Sequence, residues 1–236
     1  MIGTHLLVTF CNQVSSPQQS GALTSLDGDG WRWLPLEKLN QHDSNVLGLS
    51  GACEVNGRLV VATQSIPPCL GCFDLGQGTF TASRELPDCK DLHSVTYIDG
   101  AIYTVSTGTN EIYEVPFIGG QFGVPRVHWR CPDVAYDRDV VHLNGLTQSD
   151  GRLIASCFGQ RQEDGTHGTD GMVFQVEPFE IIKNGLTQPH TPLRHGNWLF
   201  FVESTTQKVH ALQRDANGTW MGHPPINVGG YPRGLA

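Results

Sequence analysis

Four Gly-centred turns recur along the chain, and their spacing constrains the fold more than any other feature. Asn56-Gly57, Asp99-Gly100, Asp150-Gly151 and His195-Gly196 each lead into a short apolar run such as Leu59-Val60-Val61 or Leu153-Ile154-Ala155. Asn-Gly and Asp-Gly between apolar runs mark tight hairpins, because a type I′ turn needs positive φ at both central residues. The glycines lie 43, 51 and 45 residues apart, the length of one four-stranded β-propeller blade. A second short segment follows each run: Cys72–Leu75, Ile112–Val115, Val173–Val176 and Val209–Leu212. Their two-residue alternation argues strand, and no window carries sustained helical spacing of apolar residues. The chain reads as all-β.

The ends fit the same repeat. Gly3–Thr9 matches the segment that begins at each hairpin Gly, so the N-terminus starts in mid-hairpin. Tyr231–Ala236 resembles the missing preceding strand, as in His142–Leu146. The expectation is a five-bladed β-propeller of four-stranded antiparallel blades forming one domain over residues 1–236. Its blades would span 47–88, 89–135, 140–185 and 187–229, with 3–40 completed by 231–236. The C-terminal strand would close the ring by pairing with the N-terminal blade, leaving no open sheet edge.

Composition narrows the partners. The net charge is −8 with no run of Lys or Arg, which argues against nucleic acid and against an anionic membrane surface. The N-terminus lacks the basic region of a secretory signal, so the expected compartment is the cytoplasm. Seven scattered Cys read as reduced thiols rather than a disulfide framework. Cys69-Leu70-Gly71-Cys72 has metal or redox spacing, but it stands alone and Cys72 falls in an expected strand. Its role stays open. There is no Gly-rich phosphate loop, and no nucleotide cofactor is expected.

In a propeller the innermost strand of each blade lines the channel. Reading back from the hairpin glycines gives a set of equivalent positions, Ser50, His93, Asn144, His190 and Arg233, each followed by a small residue: Gly51, Ser94, Gly145, Thr191 or Gly234. His142 lies two residues before Asn144, on the same side of its strand. His93, His142 and His190 are the expected ligands of a divalent metal: zinc, iron, manganese or calcium. Ser50, Asn144 and Arg233 are the expected substrate-binding groups, with Arg233 facing an anionic substituent. Glu203 and Tyr231 join Arg233 as candidate catalytic groups, Glu203 beside His190 as its orienting partner or as a general base. The chemistry this points to is that of a hydrolase or lyase on a small molecule. A non-catalytic lectin-like or scaffold propeller is the alternative, although such a protein would repeat the same residues in every blade.

Pro189-His190-Thr191-Pro192, His142-Leu143-Asn144-Gly145-Leu146 and Tyr231-Pro232-Arg233-Gly234-Leu235 resemble the bacterial propellers grouped as domain of unknown function 4915, a likeness over about residues 47–236. That family implies a fold and no activity. More remotely the architecture resembles gluconolactonase-like and strictosidine-synthase-like propellers. The lactonases hold a central divalent ion among Glu, Asn and Asp side chains, and here His stands at corresponding strand starts.

Overall fold

The computed structural model describes the backbone of residues 6–9, 23–27 and 30–34, and residues 48–235 with their side chains. Every described element but one short turn is a strand. A first sheet has three: β1 (Leu6–Thr9), β2 (Leu23–Asp27) and β3 (Gly30–Leu34), in that order. The second runs β4 (Gly48–Val55), β5 (Arg58–Gln64), β6 (Cys69–Asp74), β7 (Thr79–Glu85). The third comprises β8 (Leu92–Ile98), β9 (Ala101–Ser106), β10 (Glu111–Ile118) and β11 (Gln121–Phe122), with β12 (Arg126–Arg130) also on β10. The fourth is β13 (Leu143–Ser149), β14 (Arg152–Cys157), β15 (Gly171–Gln175) and β16 (Glu180–Leu186). The fifth is β17 (Pro189–His195), β18 (Trp198–Glu203), β19 (Lys208–Arg214) and β20 (Trp220–Gly222), with β21 (Ile226–Asn227) on β19. A 3-10 turn, Thr107–Thr109, follows β9.

Four sheets thus have the expected blade of four or more strands, each meandering in sequence order. The fifth four-stranded blade is not formed among the described residues. The N-terminal sheet has three strands, and residues 231–235 belong to none. Cys11, the Asp27–Gly30 turn and the extreme ends fall wholly or partly outside the described residues.

The chain divides into two compact units, Met1–Ile102 with Val115–Arg126, and Tyr103–Glu114 with Val127–Ala236. In the first, β5 is buried along nearly its whole length while β7, last in its sheet, is half-exposed throughout. Leu49, Leu70, Leu86 and Leu92 are fully buried there. The core of the second gathers Ile154, Val173, Leu186, Leu199, Phe201 and Leu212. Burying one such side chain stabilises the fold by roughly 1.5–3 kcal/mol.

The turns behave as their residues require. Asn56, Asp99 and Asp150 have φ of 52°, 44° and 54°, and each following Gly is also positive. These are two-residue I′ turns, with Val55 opposite Arg58 and Ser149 opposite Arg152. In the fifth sheet His195 pairs Trp198, and of the loop Gly196–Asn197 only Gly196 has positive φ, at 54°. That pattern is a II′ turn, which places Gly first rather than second and explains the one-residue offset of the fourth repeat.

Small residues matter where inner strands come close. A Cβ on Gly51 would lie 2.8 Å from the His93 carbonyl oxygen and Ser94 Cα. On Gly145 it would meet Ser156 Oγ, Pro192 Cδ and the Thr191 amide nitrogen. Cys69 and Cys72 both lie in β6. Three residues apart on a strand, their side chains leave opposite faces, so this pair cannot close on one metal ion.

Candidate metal centre and the strand entries

The chain turns sharply into its inner strands, and the same backbone device serves three of them. Asp91, His142 and Gln188 have left-handed φ of 53°, 49° and 53°, each two residues before the positions read as His93, Asn144 and His190. Non-glycine residues adopt this region rarely, at a cost of order 1–3 kcal/mol. Where the residue two further on is His, the turned backbone places a carbonyl against its ring. His93 Nδ1 lies 3.3 Å from the Asp91 carbonyl oxygen, and His190 Nδ1 lies 3.2 Å from that of Gln188. A carbonyl oxygen only accepts, so Nδ1 carries the proton in both neutral rings and Nε2 carries the lone pair.

A second set of hydrogen bonds reaches these entries from the repeat before each. Ser50 Oγ donates to the Leu92 carbonyl, Thr107 Oγ1 to that of Leu143, Asn144 Nδ2 to that of Pro189, and Ser204 Oγ to that of Pro232. Thr191 Oγ1 also donates, to the Arg233 carbonyl. The acceptors Leu92, Leu143, Pro189 and Pro232 are equivalent: each immediately precedes one of the positions read from the repeat. Asn144 is 4% exposed, and its Oδ1 accepts from Ser156 Oγ at 2.6 Å. Both ends of its amide are thereby engaged in holding strands. Ser50 likewise engages its hydroxyl in the stitch.

Glu203 directly opposes Pro189 across the β17–β18 ladder. Its Oε1 accepts the Thr187 amide at 2.8 Å and its Oε2 meets His210 Nε2 at 2.8 Å. Burial pushes this carboxyl up, but the Thr187 amide and His210 outweigh it and hold it below the ordinary range. The side chain beside His190 is instead Ser204, one residue on, whose Oγ lies 2.7 Å from Nδ1. Tyr231 is about half exposed and donates its hydroxyl to Gln188 Oε1. Arg233 is half-buried next to that segment.

The densest gathering of ligand atoms lies elsewhere. Asp139, His142 and His167, all half-buried, each offer one ligand atom within 4.8 Å of the others. Among the described residues this is the one such group of three, and neither His93 nor His190 belongs to it. His142 thus lies at a candidate metal centre, in company the repeat did not announce. Asp139 Oδ1 accepts the His142 amide at 2.9 Å, and Oδ2 accepts from His142 Nδ1 at 2.8 Å. His167 Nδ1–H donates to the Gly159 carbonyl at 3.0 Å. His167 is thereby anchored through Nδ1 with its lone pair on Nε2, the arrangement usual in metal-ligating His, whereas His142 turns Nδ1 to Asp139, and a cation held by both would replace the proton they share. Burial raises Asp139, but the hydrogen bond and charge of His142, with Arg161 3.7 Å away, hold it below the ordinary value. Burial lowers His167, more than the Gly159 carbonyl raises it.

Phe158 joins this group to His190. Its ring centroid is 4.3 Å from that of His142, 5.3 Å from His167 and 4.8 Å from His190, and His190 in turn lies 6.1 Å from Tyr231. Asp139, Phe158 and His167 were not found from the repeat because they sit in connections outside it. The Asp139-x-x-His142 spacing was the available signal.

A central ion held by Glu and Asn does not suit this chain, since Glu203 and Asn144 are engaged in the fold. The Asp139 group does fit a cation, offering one carboxylate and two imidazoles.

No family model matches the chain, and no curated protein matches it. Solved structures do. The periplasmic gluconolactonase of Pseudomonas aeruginosa aligns at a TM-score of 0.64 and 13% identity, covering 98% of this chain and 69% of that one. A β-propeller domain from Myceliophteria thermophila aligns at 0.55 and 11%, covering 93% and 68%. Regucalcin of Agrobacterium tumefaciens, a calcium-binding protein, aligns at 0.54 and 14%, covering 76% of this chain. The chain spans only 58% of regucalcin and 59% of a luciferin-regenerating enzyme that it also matches. At such identities the likeness concerns the fold alone, and the fold is that of the β-propellers.

Proposed function

We propose that this chain is a divalent-metal-dependent hydrolase of small cyclic esters, lactones of sugar acids, with Asp139, His142 and His167 holding the cation. The observation that carries this reading is the convergence of those three groups, with the His167 imidazole already anchored through Nδ1. The lactone class is drawn by analogy with the gluconolactonase, whose likeness to this chain concerns the fold. Two nitrogens and one carboxylate favour zinc, manganese or iron. Calcium prefers six to eight oxygens, so the metal would differ from that of regucalcin. A cation there supplies Lewis acidity to a carbonyl and makes water a better nucleophile near neutral pH. The Gly159 carbonyl fixes the His167 ring. Phe158 supplies an apolar wall beside both imidazoles, and His190, clamped by Gln188 and Ser204, positions Phe158 and Tyr231. Tyr231, whose hydroxyl donates to Gln188 Oε1, offers its oxygen as an acceptor at the substrate rim, and Arg233 pairs with an anionic substituent.

Tag-free protein, stripped and dialysed against zinc, manganese or calcium, should retain about one zinc-class ion per chain. Asp139→Asn, His142→Ala and His167→Ala should each lose it, non-additively, because the ligands act as a unit. A lactone panel followed by pH-stat should show hydrolysis that fails with the metal. Retention of metal by all three variants sinks the site. Metal binding without lactone or ester hydrolysis sinks the hydrolase assignment.

We also read Tyr231–Leu235 as the fifth innermost position of a five-bladed propeller. Support comes from the stitches, in which Pro232 and Arg233 take the acceptor places that Leu92, Leu143 and Pro189 take earlier. Deleting 231–236 should then lower the melting temperature severely, whereas an unchanged melt would refute the count.

A further inference from the structure

A second feature lies away from the histidines, wholly within the second unit. A cavity of about 170 Å³ opens between the sheet β13–β16 and the sheet β17–β20. Its floor is Ile154 and Ile182, at the edge of the unit's apolar core. Trp220 and Arg214, a directly opposed pair on β20 and β19, form the facing wall.

That wall is built before any ligand arrives. Arg214 donates from Nε to the Gly218 carbonyl at 2.9 Å and from Nη1 to Asp150. Arg194 donates from Nε to Ser149 Oγ at 2.9 Å. The guanidinium carbons of Arg194 and Arg214 each lie 5.6 Å from the centre of the Trp220 ring. Asp150 is engaged by both arginines, its Oδ1 being 4.0 Å from Arg194 Nη2. Arg152 stands on the opposite wall, where its Nη1 meets the neutral amide of Gln175 at 3.4 Å. Two guanidinium groups, Arg152 and Arg214, thus line the cavity with two carboxylates, Asp150 and Glu180, and Asp150 is taken up by Arg214 and by Arg194 outside the lining.

We propose that this cavity is a second binding site, independent of the hydrolase reading, for a small carboxylate bearing a six-membered ring. A cavity of about 150 Å³ accepts a benzene ring, which sets the size. The isoleucines and the Trp220 edge receive the ring, and Arg152, whose Nη1 meets the neutral amide of Gln175, receives the carboxylate through a charge-assisted bond.

The test uses benzoate and its neutral isostere benzamide, read by the Ile154 and Ile182 methyl resonances and by Trp220 fluorescence. Benzoate should saturate both signals, and benzamide should bind about tenfold more weakly. Arg152→Gln should weaken benzoate about tenfold, since charged hydrogen bonds carry roughly 1.5–3 kcal/mol, and should leave benzamide unchanged. Ile182→Phe, which fills the cavity, should abolish both. Equal binding of benzoate and benzamide overturns the proposal. So does benzoate binding that survives Ile182→Phe, and so does binding lost on chelating the metal, which would place it at Asp139. Absence of saturation in folded protein, checked by the same methyl spectrum, also overturns it.

Discussion

Replacing Asn144 by Ala separates a structural from a substrate-binding role for this residue. The amide is 4% exposed, donates to the Pro189 carbonyl at 3.0 Å and accepts from Ser156 Oγ at 2.6 Å. Truncation removes two hydrogen bonds, each contributing about 1 kcal/mol net. It also leaves the fully buried Ser156 hydroxyl without that acceptor, at a desolvation cost of about 1–3 kcal/mol. The sum is about 3–5 kcal/mol. For a domain of 150–250 residues each kcal/mol shifts the melting temperature by roughly 2–4 °C, so Asn144→Ala should melt about 6–20 °C lower. Calorimetry on the variant, on Ser156→Ala and on the double variant completes the cycle. The double variant should be less destabilised than the two singles added together, because the two side chains share one bond. A melting temperature within about 1 °C of the wild type would refute the stitch and return Asn144 to the substrate.

Gly145→Ala should destabilise by more than about 2 kcal/mol, since the new methyl meets Ser156, Pro192 and the Thr191 amide, whereas Gly234→Ala should be silent because a Cβ there meets nothing within 4 Å. Paired chemical denaturation curves compare them, and equal midpoints would contradict the close approach at Gly145. Glu203 is held below its ordinary 4.5, so its stabilisation is complete above that pH and should be lost as pH falls from 4.5 through the folded value. His167, held below 6.5, makes the folded chain take up its proton later than the unfolded one, so stability should also decline as pH falls from 6.5 through its folded value. His167→Gln should remove the upper step of a stability-against-pH series and leave the lower one; loss of neither step would contradict the burial of this ring. Burial pushes the Cys53 and Cys157 thiols up to about 12 and those of Cys69 and Cys131 to about 11. Native protein should therefore react slowly with a thiol reagent. Unfolded, unreduced protein should take seven modifications by intact mass, matching its seven Cys, and a count of five would reveal a disulfide.

The all-β repeat was legible because turn chemistry is local. Asn56-Gly57 and Asp150-Gly151 announce positive φ within two residues, and strand alternation around them does the rest. Gly196 was legible too, but a bulge between His190 and Leu193 shifts the ladder by one, so Glu203 opposes Pro189 and Ser204 meets His190. The Leu92, Leu143 and Pro189 carbonyls, each just before one of the positions read from the repeat, all accept a side-chain hydrogen bond from the repeat before. What sequence period cannot supply is the content of the irregular connections. Asp139 and His167 reach His142 from segments with no counterpart in the other repeats, so no stacking of repeats would align them. Nor could spacing reveal that Asn144, polar and at a strand entry, turns both ends of its amide to the fold.

The stitches between inner strands are asymmetric in what they demand of the chain. The donor must be a hydroxyl or an amide, and Ser50, Thr107, Asn144 and Ser204 serve equally. The acceptor is a main-chain oxygen, which every residue possesses, so Leu92, Leu143, Pro189 and Pro232 can differ freely, as can the residue after each. Each blade thus fixes its neighbour's register without dictating its neighbour's side chains. Blades held this way can differ in side-chain chemistry while keeping one backbone pattern. His93, Asn144 and His190 stand at one repeat position with different side chains, as that freedom allows.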